Sequence, residues 1–214
     1  MIDNPQSRNI NRHDFDNGRL DEVDGVNPFE LAELWMSEAV SNQENEPNAF
    51  SLNTVSADLQ PSSRIVYLKD LIDSQYVFYT NYNSSKAKDI EDNSKVSMLF
   101  FYPGASRQIR IDGVCSKVSE EISDSYFNSR PRKSQLGAWA SNQSEELDEY
   151  ETLEERLLEF DEKFTSKVPR PDFWGGYQIK PTRFEFWQGR PSRLHDRFVF
   201  ESEKGSWKTF RINP

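Results

Sequence analysis

Between Ala49 and Val114 the apolar residues fall into short runs, AFSLNTV, SRIVYLK, YVFYTNY, VSMLFFY and RQIRIDGV, separated by clusters of Asp, Asn, Ser and Gly. Runs of this length bounded by turn residues predict strands. In the last of them Ile109 and Ile111 fall on one face and Gln108, Arg110 and Asp112 on the other, the alternation of a half-buried strand. The set reads as an antiparallel sheet or barrel. The C-terminal third adds GGYQI, RFEFWQG, RFVFE and WKTFRI, with Glu203-Lys204-Gly205 where a hairpin turn belongs.

Helical spacing appears elsewhere. Asn27-Pro28 offers an N-cap followed by proline at the first helical position, and Leu31, Leu34, Trp35 and Ala39 follow as one face of an amphipathic helix. SSKAKDIEDN reads as a short helix with Ser84 at its N-cap. Further on, Leu153, Leu157, Phe160 and Phe164 recur at helical spacing and leave the intervening glutamates on a solvated face. Residues 1–26 are polar and aperiodic, which predicts a flexible arm, and residues 27–214 form one domain. The fold class expected is α+β, mainly β, with helices at the periphery.

Composition narrows the function classes. Only 35% of residues are hydrophobic, but 15 Phe, 8 Tyr and 5 Trp concentrate that fraction in large rings able to fill a core. A net charge of -10 argues against a nucleic-acid partner, since phosphate backbones reward basic surfaces. No apolar run is long enough for a bilayer, and the first residues lack a secretory core, so no membrane partner and a cytoplasmic location are expected. Cys115 is the single cysteine, which excludes an intrachain disulfide and is compatible with a reducing compartment. With His13 and His195 as the only histidines, no metal site is expected. Against the acidic background stand two basic islands, SRPRK and GRPSRLHDR, of a size suited to small phosphorylated ligands.

Several segments carry candidate chemistry, each with a plainer alternative. Arg64 and Lys69 flank four apolar residues; two cations closing a buried strand call for anions, whereas an exposed strand end needs none. In YTNYNSSKAKDI a strand runs into a helix whose first turn holds Ser84, Ser85 and Lys86, which is either a phosphate site or ordinary capping. Gln108 could meet a ring edge or water. Tyr126, Arg130 and Ser134 lie around a proline-stiffened turn and are donors suited to phosphate oxygens. Arg193, His195 and Arg197 are two residues apart, so an extended segment would point all three the same way, near Trp187; a basic edge strand is the alternative.

In order and spacing, SRIVYLK, FYTNYNSSKA, RQIRIDG, SRPRKSQLGAWASNQS, FWGGYQIKP and EFWQGRPSRLHDRF resemble the pyridoxamine 5'-phosphate oxidases, over roughly Asn27 to Pro214. The resemblance implies an FMN-binding split β-barrel and a homodimer with active sites at the subunit interface. It implies oxidation of pyridoxine 5'-phosphate and pyridoxamine 5'-phosphate to pyridoxal 5'-phosphate, with oxygen as electron acceptor. FMN binding would then fall to Arg64, Ile65, Val66, Tyr67, Leu68 and Lys69, to Tyr79, Thr80, Lys86 and Gln108, and to Gln143, Ser144, Trp187 and Arg197. Substrate binding would fall to Lys69, Tyr126, Arg130 and Ser134 at the phosphate and to Arg193, Leu194 and His195 at the ring, with Arg193 and His195 catalytic. Where the family commonly has Ser-Arg-Lys, this chain has Ser84-Ser85-Lys86, so one arginine is missing. The family's N-terminal Arg-x-x-Tyr segment is matched loosely by Arg12 to Phe15. The alternatives are a related FMN oxidase acting on another ring, as in phenazine biosynthesis, and a noncatalytic flavin or pyridoxal-phosphate carrier.

Overall fold

The computed structural model describes Leu20, Val23, residues 25–147 and residues 149–214. Most of the expected N-terminal arm, including Arg12 to Phe15, lies outside these residues. The elements in chain order are α1 (Pro28–Ser41), β1 (Ala49–Val55), β2 (Pro61–Tyr67), β3 (Asp70–Ile72), β4 (Gln75–Asn81), α2 (Ser85–Asp92), β5 (Lys95–Tyr102) and β6 (Arg107–Lys117). They continue with α3 (Glu120–Ser129), α4 (Arg132–Ala140), α5 (Glu151–Lys163), β7 (Trp174–Gln188), β8 (Asp196–Glu203) and β9 (Ser206–Arg211). The strands form one sheet in the order β2-β1-β5-β6-β7-β4-β3, with β8 and β9 continuing from β7. This is the α+β, mainly β class that the strand pattern predicts. Among the described residues no helix is long and apolar enough to cross a membrane.

The chain divides into two compact units, each built from separate stretches. The larger takes residues 48–100 and 111–183. Its strand β1 alternates, with Phe50, Leu52 and Thr54 buried on one face, and pairs with β2 so that Leu52 lies opposite Arg64. A second cluster forms where Phe127, Leu136, Val168 and Trp174 are buried and Leu157, Phe160 and Phe164 of the α5 region pack against them. That face of α5 is the one the spacing predicts.

The smaller unit takes residues up to 47, 101–110 and 184–214. Asn27 caps α1 by accepting from the Phe29 N–H at 3.0 Å, with Pro28 at the helix start. Phe29 packs edge-on to Phe184 and Trp207, and Trp35 edge-on to Phe186. Arg107 stands over the Trp35 ring at 4.5 Å and pairs with Glu38. Lys204 and Gly205 make the two-residue turn between β8 and β9 with φ of 49° and 88°, the left-handed pair that a tight hairpin requires.

Two expectations need correction, and two further segments are decided by the structure. Leu34 is 51% exposed, because the buried face of α1 runs through Leu31, Ala32, Trp35 and Ala39. GGYQI and RFEFWQG are one strand, β7, and not two. Its paired register with β4 ends at Ile179, so Pro181 removes no bond from that ladder. For SRIVYLK the structure selects the exposed strand end of the two readings: β2 stands at one end of the sheet order, and Ile65 is 64% exposed. Finally, the turn around Arg130 joins two helices, α3 and α4, that the apolar periodicity does not reveal.

Candidate active site

A cavity of about 860 Å³ opens in the larger unit, and its walls come from β2, β4, α2, α3, α4, the loop after α4 and the start of β7. Arg64, Ile65, Val66, Tyr67 and Lys69 line it from β2 and its end, and Tyr79, Thr80 and Lys86 from β4 and α2. Tyr126, Arg130, Ser134, Gln143 and Ser144 complete the residues that sequence singled out. Leu68 is not part of the wall; its backbone N–H donates to Asn48 at 2.8 Å. Ser85, from the first helical turn read as a candidate phosphate site, is in the wall, and Asn81, Ser141 and Trp174 join it without having been assigned to a ligand from sequence.

One end of the cavity is cationic because of how β4 enters α2. The Asn81 side chain accepts from the Asn83 N–H at 2.7 Å, which turns the chain into the helix. Ser84 sits at the N-cap, but its hydroxyl donates to the Asn81 carbonyl at 2.7 Å and does not cap the first-turn amides. The expected capping bond is therefore absent. Instead Ser84 Oγ accepts from Lys86 Nζ at 3.0 Å, and the same ammonium donates to Thr80 Oγ1 at 3.1 Å and Gln143 Oε1 at 3.0 Å. All three partners are neutral. Burial, and then the Arg64 cation, pull the Lys86 ammonium down to about 8. Burial also lowers Arg64, while Asp89 holds it up. A buried ammonium whose hydrogen-bond partners are all neutral is stabilised by an anion brought near it.

The same cavity has an aromatic wall. Gly175 and Gly176 of β7 lie opposite Thr80 and Tyr79 of β4. A Cβ on Gly176 would stand 2.9 Å from the Tyr79 ring, and one on Gly175 would stand 2.1 Å from the Tyr82 hydroxyl. Two glycines thus let the tyrosines lie flat on the strand. Tyr79 stacks on Tyr126 with centroids 3.8 Å apart, and the Trp174 ring is nearly parallel to both. Burial pushes the Tyr79 phenol up to about 12, with Tyr126 and Asp70 adding to it. Tyr126 is raised for the same first reason. Both hydroxyls therefore keep their protons at neutral pH and can donate them to an acceptor.

Arg130 is placed by Pro131, which disfavours helical backbone in the residue before it. Arg130 accordingly leaves α3 with φ -72° and ψ 147°. Its guanidinium lies over Trp174 at 4.5 Å, and its Nη1 is buried without a hydrogen-bond partner. Burial lowers its pKa, partly offset by Tyr126. An orphaned donor of this kind costs on the order of 1–3 kcal/mol unless something accepts from it. Lys69, Tyr126 and Ser134 line the same cavity and add further hydrogen-bond donors to it.

Gln108, Trp187, Arg193, Leu194, His195 and Arg197 do not line this cavity and belong to the smaller unit. There the expectation of one extended segment with three parallel side chains fails. Residues Pro191–Arg193 form a 3-10 turn, with Ser192 and Arg193 at φ of 57° and 62°, so the chain bends before His195. Arg197 turns to Glu185 at 2.5 Å and to the Asn213 carbonyl at 3.0 Å. His195 Nδ1 accepts from the Arg190 N–H at 3.0 Å, and its ring centroid lies 4.6 Å from that of Trp187. That bond places the proton of the neutral ring on Nε2. Burial first, then Arg193 and Arg197, lower the His195 pKa and favour this neutral form. Arg193 and Leu194 are exposed.

Residues 36–163 match the family described as pyridoxamine 5'-phosphate oxidase, and residues 174–214 match the pyridoxine 5'-phosphate oxidase C-terminal dimerisation region. A pyridoxine/pyridoxamine 5'-phosphate oxidase of Leptospira biflexa is 48% identical over 195 residues, covering 91% of this chain and 92% of its own. One from Bordetella pertussis is 48% identical over 205 residues, covering 95% and 97%. Among solved structures, PhzG from Burkholderia lata 383, in complex with tetrahydrophenazine-1-carboxylic acid, superposes with a TM-score of 0.85 at 28% identity, covering 92% of this chain and 100% of its own. A pyridoxamine 5'-phosphate oxidase-related, FMN binding protein from Nostoc punctiforme superposes with a TM-score of 0.70 at 15% identity, covering 88% and 99%, and shares the split-barrel fold.

Proposed function

The chain belongs to the pyridoxamine 5'-phosphate oxidase family of oxidoreductases, and from that premise we propose that it binds FMN and oxidises pyridoxine 5'-phosphate and pyridoxamine 5'-phosphate to pyridoxal 5'-phosphate. Oxygen accepts the electrons and leaves as hydrogen peroxide, and the amine substrate also consumes water and releases ammonia. The observation that carries this reading is a single cavity with two groups of phosphate donors, one of which contains Arg130 Nη1, buried and unsatisfied.

The residues present fit FMN. Lys86, Arg64 and Ser85 offer two cations and a first-turn helix position to a terminal phosphate, and the cavity has room for a planar ring system beside the stacked tyrosines. Bound FMN supplies the two-electron acceptor. The chain supplies position. Arg130, Tyr126, Ser134 and Lys69 hold the substrate phosphate, which fixes the pyridine ring and turns the reaction into an effectively unimolecular step. Arg193 and His195 hold the ring in a homodimer whose active sites lie at the subunit interface, His195 donating from Nε2. The dimerisation-region match over residues 174–214 supports a homodimer.

Two groups of cationic and hydroxyl donors in one cavity, Lys86 with Arg64 and Arg130 with Lys69, favour a phosphorylated substrate over an unphosphorylated ring. An oxygen-electrode assay on FMN-loaded protein tests this. Oxygen uptake with pyridoxine 5'-phosphate, and little with pyridoxine, is expected. Uptake only with an unphosphorylated ring would place the activity with the phenazine-type oxidases, and flavin binding with no uptake would make the protein a carrier.

A further inference from the structure

We propose that Thr54 is a positioning residue for the phosphate-binding cation Arg64, acting through its hydroxyl, which Asp89 orients. The proposal rests on the assignment of Arg64 to the FMN phosphate. Thr54 occupies the buried face of β1, where Phe50 and Leu52 precede it, and it is 0% exposed. A hydroxyl there has one proton to give, and the geometry fixes where it goes. Thr54 Oγ1 donates to Asp89 Oδ2 at 2.6 Å, from the inner face of α2. Its oxygen is thereby turned to accept, and Arg64 Nη1 donates to it at 2.6 Å.

Arg64 Nη1 has two further acceptors, the Leu52 carbonyl at 3.2 Å and the Ser62 carbonyl at 3.3 Å, so the Thr54 contact is the shortest. Arg64 Nη2 stands 3.8 Å from Asp89 Oδ2, outside hydrogen-bond range. Asp89 attracts Arg64 directly as a charge, but its hydrogen-bonded connection to the guanidinium runs through the threonine. With Nη1 held among Thr54 and two carbonyls, the planar guanidinium has a fixed rotation, and its remaining N–H groups keep one direction towards the cavity that Arg64 lines. Valine has nearly the shape of threonine without the hydroxyl, so Thr54→Val removes this constraint and leaves the packing of β1 in place.

The test pairs two readouts. In apoprotein with isotope-labelled arginine, NMR of the Arg64 guanidinium reports its rotation without any ligand: slow in the parent, fast in Thr54→Val, slow again in Thr54→Ser. Fluorescence titrations with FMN and riboflavin report the consequence. Thr54→Val is expected to weaken FMN by roughly three- to tenfold, the equivalent of one hydrogen bond, and to leave riboflavin unchanged. In an Arg64→Lys background the same substitution is expected to have no further effect on FMN. Equal loss for FMN and riboflavin, an undiminished loss in the Arg64→Lys background, or unaltered guanidinium rotation would each overturn the proposal. A parent protein that took up no FMN would instead overturn the cofactor assignment, and the NMR comparison would still decide the role of Thr54.

Discussion

Arg130 and Arg197 are both half-buried arginines from the two basic islands of the sequence, and the fold treats them in opposite ways. Arg197 is matched to a carboxylate, Glu185, and to a backbone carbonyl. Arg130 faces aromatic rings, and one of its nitrogens is buried with nothing to accept from it. Lys86 resembles Arg130 more than Arg197, since its three partners carry no charge. The difference separates a cation whose charge is matched within the chain from cations whose contacts within the chain carry no opposite charge. Motif density does not make that distinction; pairing does.

Substitutions can break this contrast. Arg130→Met should lower kcat/KM for pyridoxine 5'-phosphate about a hundredfold, the upper end for one charge-assisted bond, while the apoprotein's unfolding midpoint stays level or rises because an unsatisfied donor is gone. A fall in stability with unchanged kinetics would mean that Arg130 is structural. Arg193→Ala should reduce turnover about tenfold to a hundredfold with FMN still bound, as steady-state kinetics on the yellow variant would reveal. Lys86→Ala should weaken FMN by about tenfold to a hundredfold in a flavin titration. Glu185→Gln probes the matched pair: it should cost about 1–3 kcal/mol in denaturant unfolding by loosening Arg197.

The smallest effect is in pH. Lys86 titrates in the apoprotein at about 8, below the ordinary lysine value of 10.5. Its burial cost is therefore fully present below about pH 8 and is relieved as pH rises towards the unfolded value, so this group's contribution to apoprotein stability improves over that window. FMN affinity should move the other way, falling several-fold as pH rises through 8 and the ammonium is lost. Lys86→Met should flatten both profiles, and a sloping stability profile in that variant would assign the titration to another group.

The strands were legible in the sequence because alternation and turn residues mark them directly, as the Ile109 and Ile111 face and the Lys204-Gly205 hairpin illustrate. The α3 and α4 pair was not, since their buried residues are few and the proline between them reads first as a turn. Much of the cavity wall was legible as motif, yet Trp174 was not assigned to it, although two adjacent glycines beside an aromatic mark a close approach. Thr54 left a signal that pattern reading can use: it is the polar member of the inward set Phe50, Leu52, Thr54. Arg193, His195 and Arg197 were misread as parallel because spacing cannot report left-handed backbone at Ser192 and Arg193, two non-glycine residues.

The most direct measurement of the central claim is the visible spectrum of FMN-loaded protein under nitrogen, before and after addition of pyridoxine 5'-phosphate. The account predicts that the flavin band bleaches in the parent and persists in Arg130→Met at the same substrate concentration. A band that persists in the parent, or bleaches equally in both, would contradict it.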